Sequence, residues 1–88
     1  MRADQELELG DIYRHYKGQF YKLLHLARHS ETLESIVVYQ ALYPDFGIWV
    51  RPKKMFFERL QIDGVNLLRF EKISPKDLPS HLKKFVSN

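Results

Sequence analysis

The 88-residue sequence contains no cysteine, and that one absence removes disulfide scaffolds, thiolate zinc sites and cysteine nucleophiles together. Stability therefore has to come from packing. Long apolar runs are missing as well. The longest aliphatic stretch is Ile36-Val37-Val38, and Met1-Arg2 leads straight into Ala3-Asp4-Gln5-Glu6 with nothing of signal-peptide length. The expectation is a cytoplasmic protein without a membrane span. Glycine and proline number only four each and are dispersed, which excludes collagen-like chains, phosphate loops and dinucleotide fingerprints. At 44% apolar and 28% charged residues the composition is globular, and the length supports one core rather than two.

The net charge of +3 is unevenly spread. Residues 1–11 set Arg2 against Asp4, Glu6, Glu8 and Asp11, whereas residues 72–88 set Lys72, Lys76, Lys83 and Lys84 against Asp77. The chain thus has an acidic head, a mildly basic middle and a basic tail. A nucleic-acid footprint is normally stronger than this.

Strand formers dominate the middle. Gly10 to His15 reads as a first strand, Tyr16-Lys17-Gly18-Gln19 as a tight turn with Gly18 free to take positive φ, and Phe20 to His29 as a long strand apolar on both parities. If Lys17-Gly18 is the turn, His15 pairs with Phe20. After the polar stretch Ser30 to Glu34 come the β-branched run Ile36 to Tyr39, the breakers Pro44-Asp45-Phe46-Gly47, and Ile48 to Arg51, stopped by Pro52. Lys53 to Phe57 reads as one helical turn. Asp63-Gly64, between Arg59–Ile62 and Val65–Phe70, is a type I′ hairpin signal, because both central positions need positive φ. Pro75 and Pro79 punctuate the end, with Ser80 as the cap of a short helix presenting Leu82, Phe85 and Val86 on one face. The fold expected is all-β: a small barrel of about five strands with a helical turn after Pro52 and a short C-terminal helix. The domain plan is an acidic extension over 1–8, the barrel over 9–73, and a basic tail or helix over 74–88.

Spaced motifs carry a resemblance. Gly10-Asp11-Ile12-Tyr13-Arg14-His15-Tyr16-Lys17-Gly18, Ala27-Arg28-His29-Ser30-Glu31-Thr32, Val37-Val38-Tyr39, Leu42-Tyr43, Trp49-Val50-Arg51-Pro52, Met55-Phe56, Asp63-Gly64 and Arg69-Phe70 together resemble the bacterial family called domain of unknown function 1653, over residues 9 to 73. The resemblance implies a compact SH3-like β-barrel and transfers no activity.

Catalysis finds little support in the residues. His29-Ser30-Glu31 places a histidine, a hydroxyl and a carboxylate side by side, but a nucleophilic triad needs them to converge in space beside an oxyanion hole. A hairpin loop whose hydroxyls bond local backbone explains the same residues. The chain is therefore expected not to be an enzyme. Four histidines, His15, His25, His29 and His81, are the metal candidates. On one strand His25 and His29 stand about 13 Å apart, too far to share one ion. No metal and no cofactor are expected.

Binding has the most support. Ile12 and Arg14 share one face of the first strand and Tyr13 and His15 the other, so whichever turns inward carries a polar residue with it. If β-branched Ile48 and Val50 point inward, Trp49 and Arg51 lie together outside, about 6.6 Å apart. The same choice puts Ile36 and Val38 inside, and Val37, Tyr39 and Tyr43 outside. Trp49 has two readings, core or site, and aromatic area does not decide between them. The expectation is a noncatalytic module binding a protein or peptide through an aromatic and arginine surface. Its candidate residues are Tyr13, Arg14, His15, Tyr16 and Lys17 of the first hairpin, Arg28, His29, Ser30, Glu31 and Thr32 of the next loop, and Trp49, Arg51 and Lys53. A nucleic-acid-binding barrel and a passive oligomerisation domain are the alternatives.

Overall fold

The structure, a computed structural model, describes residues 7–86; most of the acidic extension and the last two residues lie outside the described residues. In chain order the elements are β1 (Ile12–His15), β2 (Phe20–Arg28), β3 (Ser35–Ala41), β4 (Ile48–Pro52), α1 (Lys53–Phe56), β5 (Arg59–Ile62), β6 (Val65–Leu68) and β7 (Phe70–Ile73), followed by 3-10 helices at Pro75–Asp77 and Ser80–Phe85. Five strands form an antiparallel sheet in the order β4-β3-β2-β1-β7, and β5-β6 is a separate two-stranded hairpin. The all-β class is as expected.

The closed barrel is not. β4 and β7 are the two edges of the large sheet and do not pair with each other. Pro52, with no N–H to give a ladder, ends β4, and α1 carries the chain inward before β5 could extend the edge. The strand count is seven rather than about five because the chain changes sheets at Arg69. Its N–H donates to the Glu58 carbonyl (2.9 Å) and its carbonyl accepts from the Tyr16 N–H (3.0 Å), which parts β6 from β7.

Two turns follow from their glycines. Asp63 and Gly64 have φ of 52° and 79°, giving the type I′ connection between paired Ile62 and Val65. In the first hairpin Arg14, not His15, pairs with Phe20. The Gly18 N–H donates to the His15 carbonyl (2.7 Å) and the His15 N–H to the Gln19 carbonyl (2.8 Å), so Gly18, at φ 107°, closes a three-residue loop and shifts the register by one.

β2 is apolar on both parities because it is bulged. Leu23 pairs with Tyr39 and His25 with Val38, which leaves Leu24 as the extra residue. The two sheet faces then bury different clusters. One holds Tyr13, Tyr21, Leu23, Val37, Tyr39, Ala41, Phe56 and Phe70. The other holds Ile12, Leu42, Leu78 and Leu82, with Phe20, Ile73, Phe85 and Val86 packed against it. The inward faces of β3 and β4 are thus the reverse of those expected. Val37 and Tyr39 are buried while Ile48 and Val50 are exposed, because the Tyr39 hydroxyl has a hydrogen-bond partner inside and so its ring can fill the core.

The C-terminal segment docks on the second cluster through Leu82, and Lys22 Nζ donates to the Phe85 carbonyl at 2.7 Å. It is 3-10 rather than α, and Pro79 rather than Ser80 stands at its cap, with no capping side chain.

Phe56, fully buried at the end of α1, touches rings from three strands of the large sheet. Phe56→Ala is expected to lower unfolding free energy by about 3–5 kcal/mol, read as a fall in urea midpoint with unchanged slope. A loss under about 1 kcal/mol would remove the ring from its central role.

Candidate functional site

The large sheet curls until its unpaired edges approach each other. Arg51 of β4 lies with its guanidinium carbon 5.7 Å from the Phe70 ring of β7. Its Nε donates to the Tyr39 hydroxyl at 3.3 Å, and it makes no ion pair with a carboxylate among the described residues. Half-buried and half-committed, Arg51 keeps its planar Nη fork free for an outside acceptor.

Around it stands an aromatic rim. The His15 ring is 4.9 Å from Phe70 and 4.6 Å from Tyr16, and Tyr21 and Tyr43 join through their hydroxyls at 2.9 Å. Burial first, then the hydrogen bond with Tyr43, holds the Tyr21 phenol well above its ordinary range. His15 Nδ1 accepts from the Lys17 N–H at 3.2 Å, so the neutral ring presents Nε2–H as a donor. Burial, followed by the charges of Arg69, Arg51 and Lys17, lowers its pKa from 6.5. Arg69 binds Glu58 at 2.9 Å, yet its buried Nε has no hydrogen-bond partner. The rim is a set of donors with too few acceptors.

Trp49 settles as a surface residue, 57% exposed. It shares its face with Arg51, as expected, but that face is the core side of the sheet, where it pairs with Tyr39. Its indole leans over Gly47, where an added Cβ would sit 3.3 Å from Nε1.

The other candidates divide. Tyr13 is a core residue, 2% exposed, with burial and then Asp11 raising its phenol to about 12. Arg14 is drawn to Glu71 at 3.5 Å across the β1–β7 pair. Arg14 and Tyr16 also line a cleft of about 300 Å³ opposite Arg59, Leu67 and Leu68 of the hairpin. Lys17 rests 5.9 Å from the Tyr16 ring, and Lys53 opens α1. Arg28, His29, Ser30, Glu31 and Thr32 are exposed at the far end of β2, about 26 Å along the strand from Phe20. There His29 Nδ1 accepts from the Glu31 and Thr32 N–H groups, and Thr32 Oγ1 accepts from Glu34 N–H. Those side chains shape their own loop. Sequence reasoning missed Tyr21, Arg69 and Phe70 as rim members; Arg69-Phe70 was visible only as a spaced motif.

Among the described residues there is no group of three histidine or acidic side chains able to share a metal, and no helix long and apolar enough to cross a membrane.

Comparison with known proteins adds a family. The family described as "Protein of unknown function (DUF1653)" matches residues 11–72. A crystal structure of a DUF1653 protein from Bordetella bronchiseptica is similar at TM-score 0.70 and 37% identity, covering 81% of this chain and 92% of that one. No curated protein matches the chain.

Two outcomes follow from this geometry. Because its folded pKa lies below the ordinary 6.5, His15 contributes stability that is complete above 6.5 and is lost as pH falls toward the folded value. A ring-proton titration should place its midpoint under 6.5 and, in Arg51→Leu, move it upward; an unshifted midpoint in both proteins would separate His15 from the cationic rim. Gly47→Ala should displace the sole indole and change its fluorescence maximum with little change in melting temperature.

Proposed function

The chain belongs to the DUF1653 family, and from the geometry of its rim we propose that it is a noncatalytic binding module for an acidic segment of a protein or peptide. The observation that carries this reading is the open Arg51 fork, set among aromatic rings and without a carboxylate of its own among the described residues. A ligand carboxylate takes both Nη donors, the His15 Nε2–H adds a neutral donor, and the exposed Trp49 ring and the Tyr16 ring beside His15 offer flat apolar contact.

A peptide fits better than nucleic acid because basic side chains of β1, of β7 and of the Arg69 link between β6 and β7 are spent internally. Arg14 faces Glu71, Arg69 binds Glu58 and Lys72 binds Asp11 at 3.4 Å. What these pairs leave at the rim is the Arg51 fork rather than a stripe of phosphate contacts.

The test is a shift titration of labelled protein with a pool of acidic peptides, and in parallel with single-stranded RNA, single-stranded DNA and duplex DNA, each at low and moderate salt. Peptide-induced shifts at His15, Trp49 and Arg51, abolished in Arg51→Ala, are expected. Shifts produced only by nucleic acid, with affinity falling steeply with salt, would replace the peptide reading, and silence at these residues in every arm would end it.

A further inference from the structure

Over Ile48–Val50 the β4 edge lacks the usual protections, which begin only at Arg51 and Pro52. Edges are normally blunted by charges, bulges or covering elements, but Ile48, Trp49 and Val50 are uncharged and 62%, 57% and 64% exposed. Its backbone register is legible from one bond: the Ala41 N–H donates to the Gly47 carbonyl at 2.9 Å. By antiparallel alternation Gly47, Trp49 and Arg51 turn their backbone groups toward β3, which leaves the N–H and C=O of Ile48 and Val50 pointing out along the free edge. Among the described residues those four groups have no backbone partner outside the sheet.

We propose that this edge pairs with β4 of a second copy of the chain, antiparallel about a two-fold axis through Trp49. The choice of register is forced by chemistry. Pairing Ile48 with Val50 of the second copy, and Val50 with its Ile48, satisfies all four outward groups on each chain. Placing Val50 on the axis sets Ile48 opposite Pro52, which has no N–H, and placing Ile48 there sets Val50 opposite Phe46, whose φ of 62° is not a strand conformation. Only the Trp49-centred pairing uses residues that are extended and can donate.

The flanks select the same occupant. Asp45 precedes the strand, and Arg51, Lys53 and Lys54 end or follow it. An antiparallel second copy brings the acidic end of each strand to the basic end of the other, so the interface is complementary in charge as well as in backbone. On one face Ile48 meets the other chain's Val50; on the opposite face the two indoles lie side by side between two Arg51 side chains. The two five-stranded sheets become one of ten, and the aromatic rims join. This pairing does not depend on the acidic-peptide reading, since the backbone edge and the Arg51 fork are different atoms.

Sedimentation of the full chain at about 100 µM, a concentration suited to a small interface, is expected to give twice the 10.6 kDa chain mass. Val50→Lys adds a charge to the exposed face, and Val50→Pro removes an outward N–H that β3 does not use; both are expected to sediment as monomers with a folded circular-dichroism spectrum. If Val50→Pro fails to fold, Val50→Lys carries the test. Hydrogen exchange reads the register: amides of Ile48 and Val50 should gain protection with concentration, while those of Trp49 and Arg51 stay protected throughout. A wild-type monomer at that concentration, a dimer that survives Val50→Lys, or amides of Ile48 and Val50 indifferent to concentration would each overturn the pairing.

Discussion

The Phe56 ring lies flat against Phe70, centroids 4.1 Å apart and planes within 3°, and meets Tyr13 and Tyr39 at 5.1 and 5.3 Å in edge-on contacts. Those three partners belong to β7, β1 and β3, so one side chain from a single helical turn ties the large sheet together across its concave side. Each favourable ring pair adds about 0.5–1.5 kcal/mol beyond the area it buries. The constraint starts with Pro52, which stops β4 and lets Lys53 to Phe56 turn inward. Curvature follows from filling the concave side with rings, and curvature is what brings Arg51 of one edge over Phe70 of the other.

A core made from tyrosines carries hydroxyls that must be satisfied. Tyr21 and Tyr43 satisfy each other, and Tyr39 takes the Nε–H of Arg51. The polar rim is therefore partly a requirement of packing: once Tyr39 is buried, an arginine held beside it is the local solution. Holding that arginine leaves its Nη groups without a carboxylate among the described residues, and its charge adds to burial and to Arg69 in lowering the pKa of His15. Structural demand and binding capacity reside in the same side chain.

Much of the fold was legible because its signals were local. Asp63-Gly64 specified its hairpin through φ alone, Gly18 its loop, and Pro52 the end of β4. What was not legible depended on comparing two faces of one strand. β3 reads Ile36-Val37-Val38-Tyr39, apolar on both parities, and the preference for β-branched residues inside pointed to the wrong face. The deciding fact is the Arg51 to Tyr39 hydrogen bond, which joins residues 12 apart and has no sequence signature. The Leu24 bulge was equally hidden, since an apolar run on both parities looks the same whether it is buried on two sides or slipped by one residue. The site suffered accordingly. The pairing of Trp49 with Arg51 on one face was correct because alternation guarantees it, but the Arg28 to Thr32 loop was grouped with them by chemistry alone. The structure places it at the far end of β2, where His29 and Thr32 hold the loop's own backbone.

Failure to close the barrel and retention of the open arginine are one fact seen from two sides. If β4 and β7 were hydrogen-bonded to each other, the guanidinium over Phe70 would lie inside a sealed wall with no carboxylate to neutralise it. A buried, unpaired charge of that kind costs several kcal/mol even after relaxation. Leaving the seam open keeps Arg51 half in water, at the cost of two sheet edges that must be managed some other way. β7 manages its edge with the charges of Glu71 and Lys72, drawn to Arg14 and Asp11. β4 has no charge between Ile48 and Val50 to do the same, so the strand that carries the open arginine also carries the unprotected backbone.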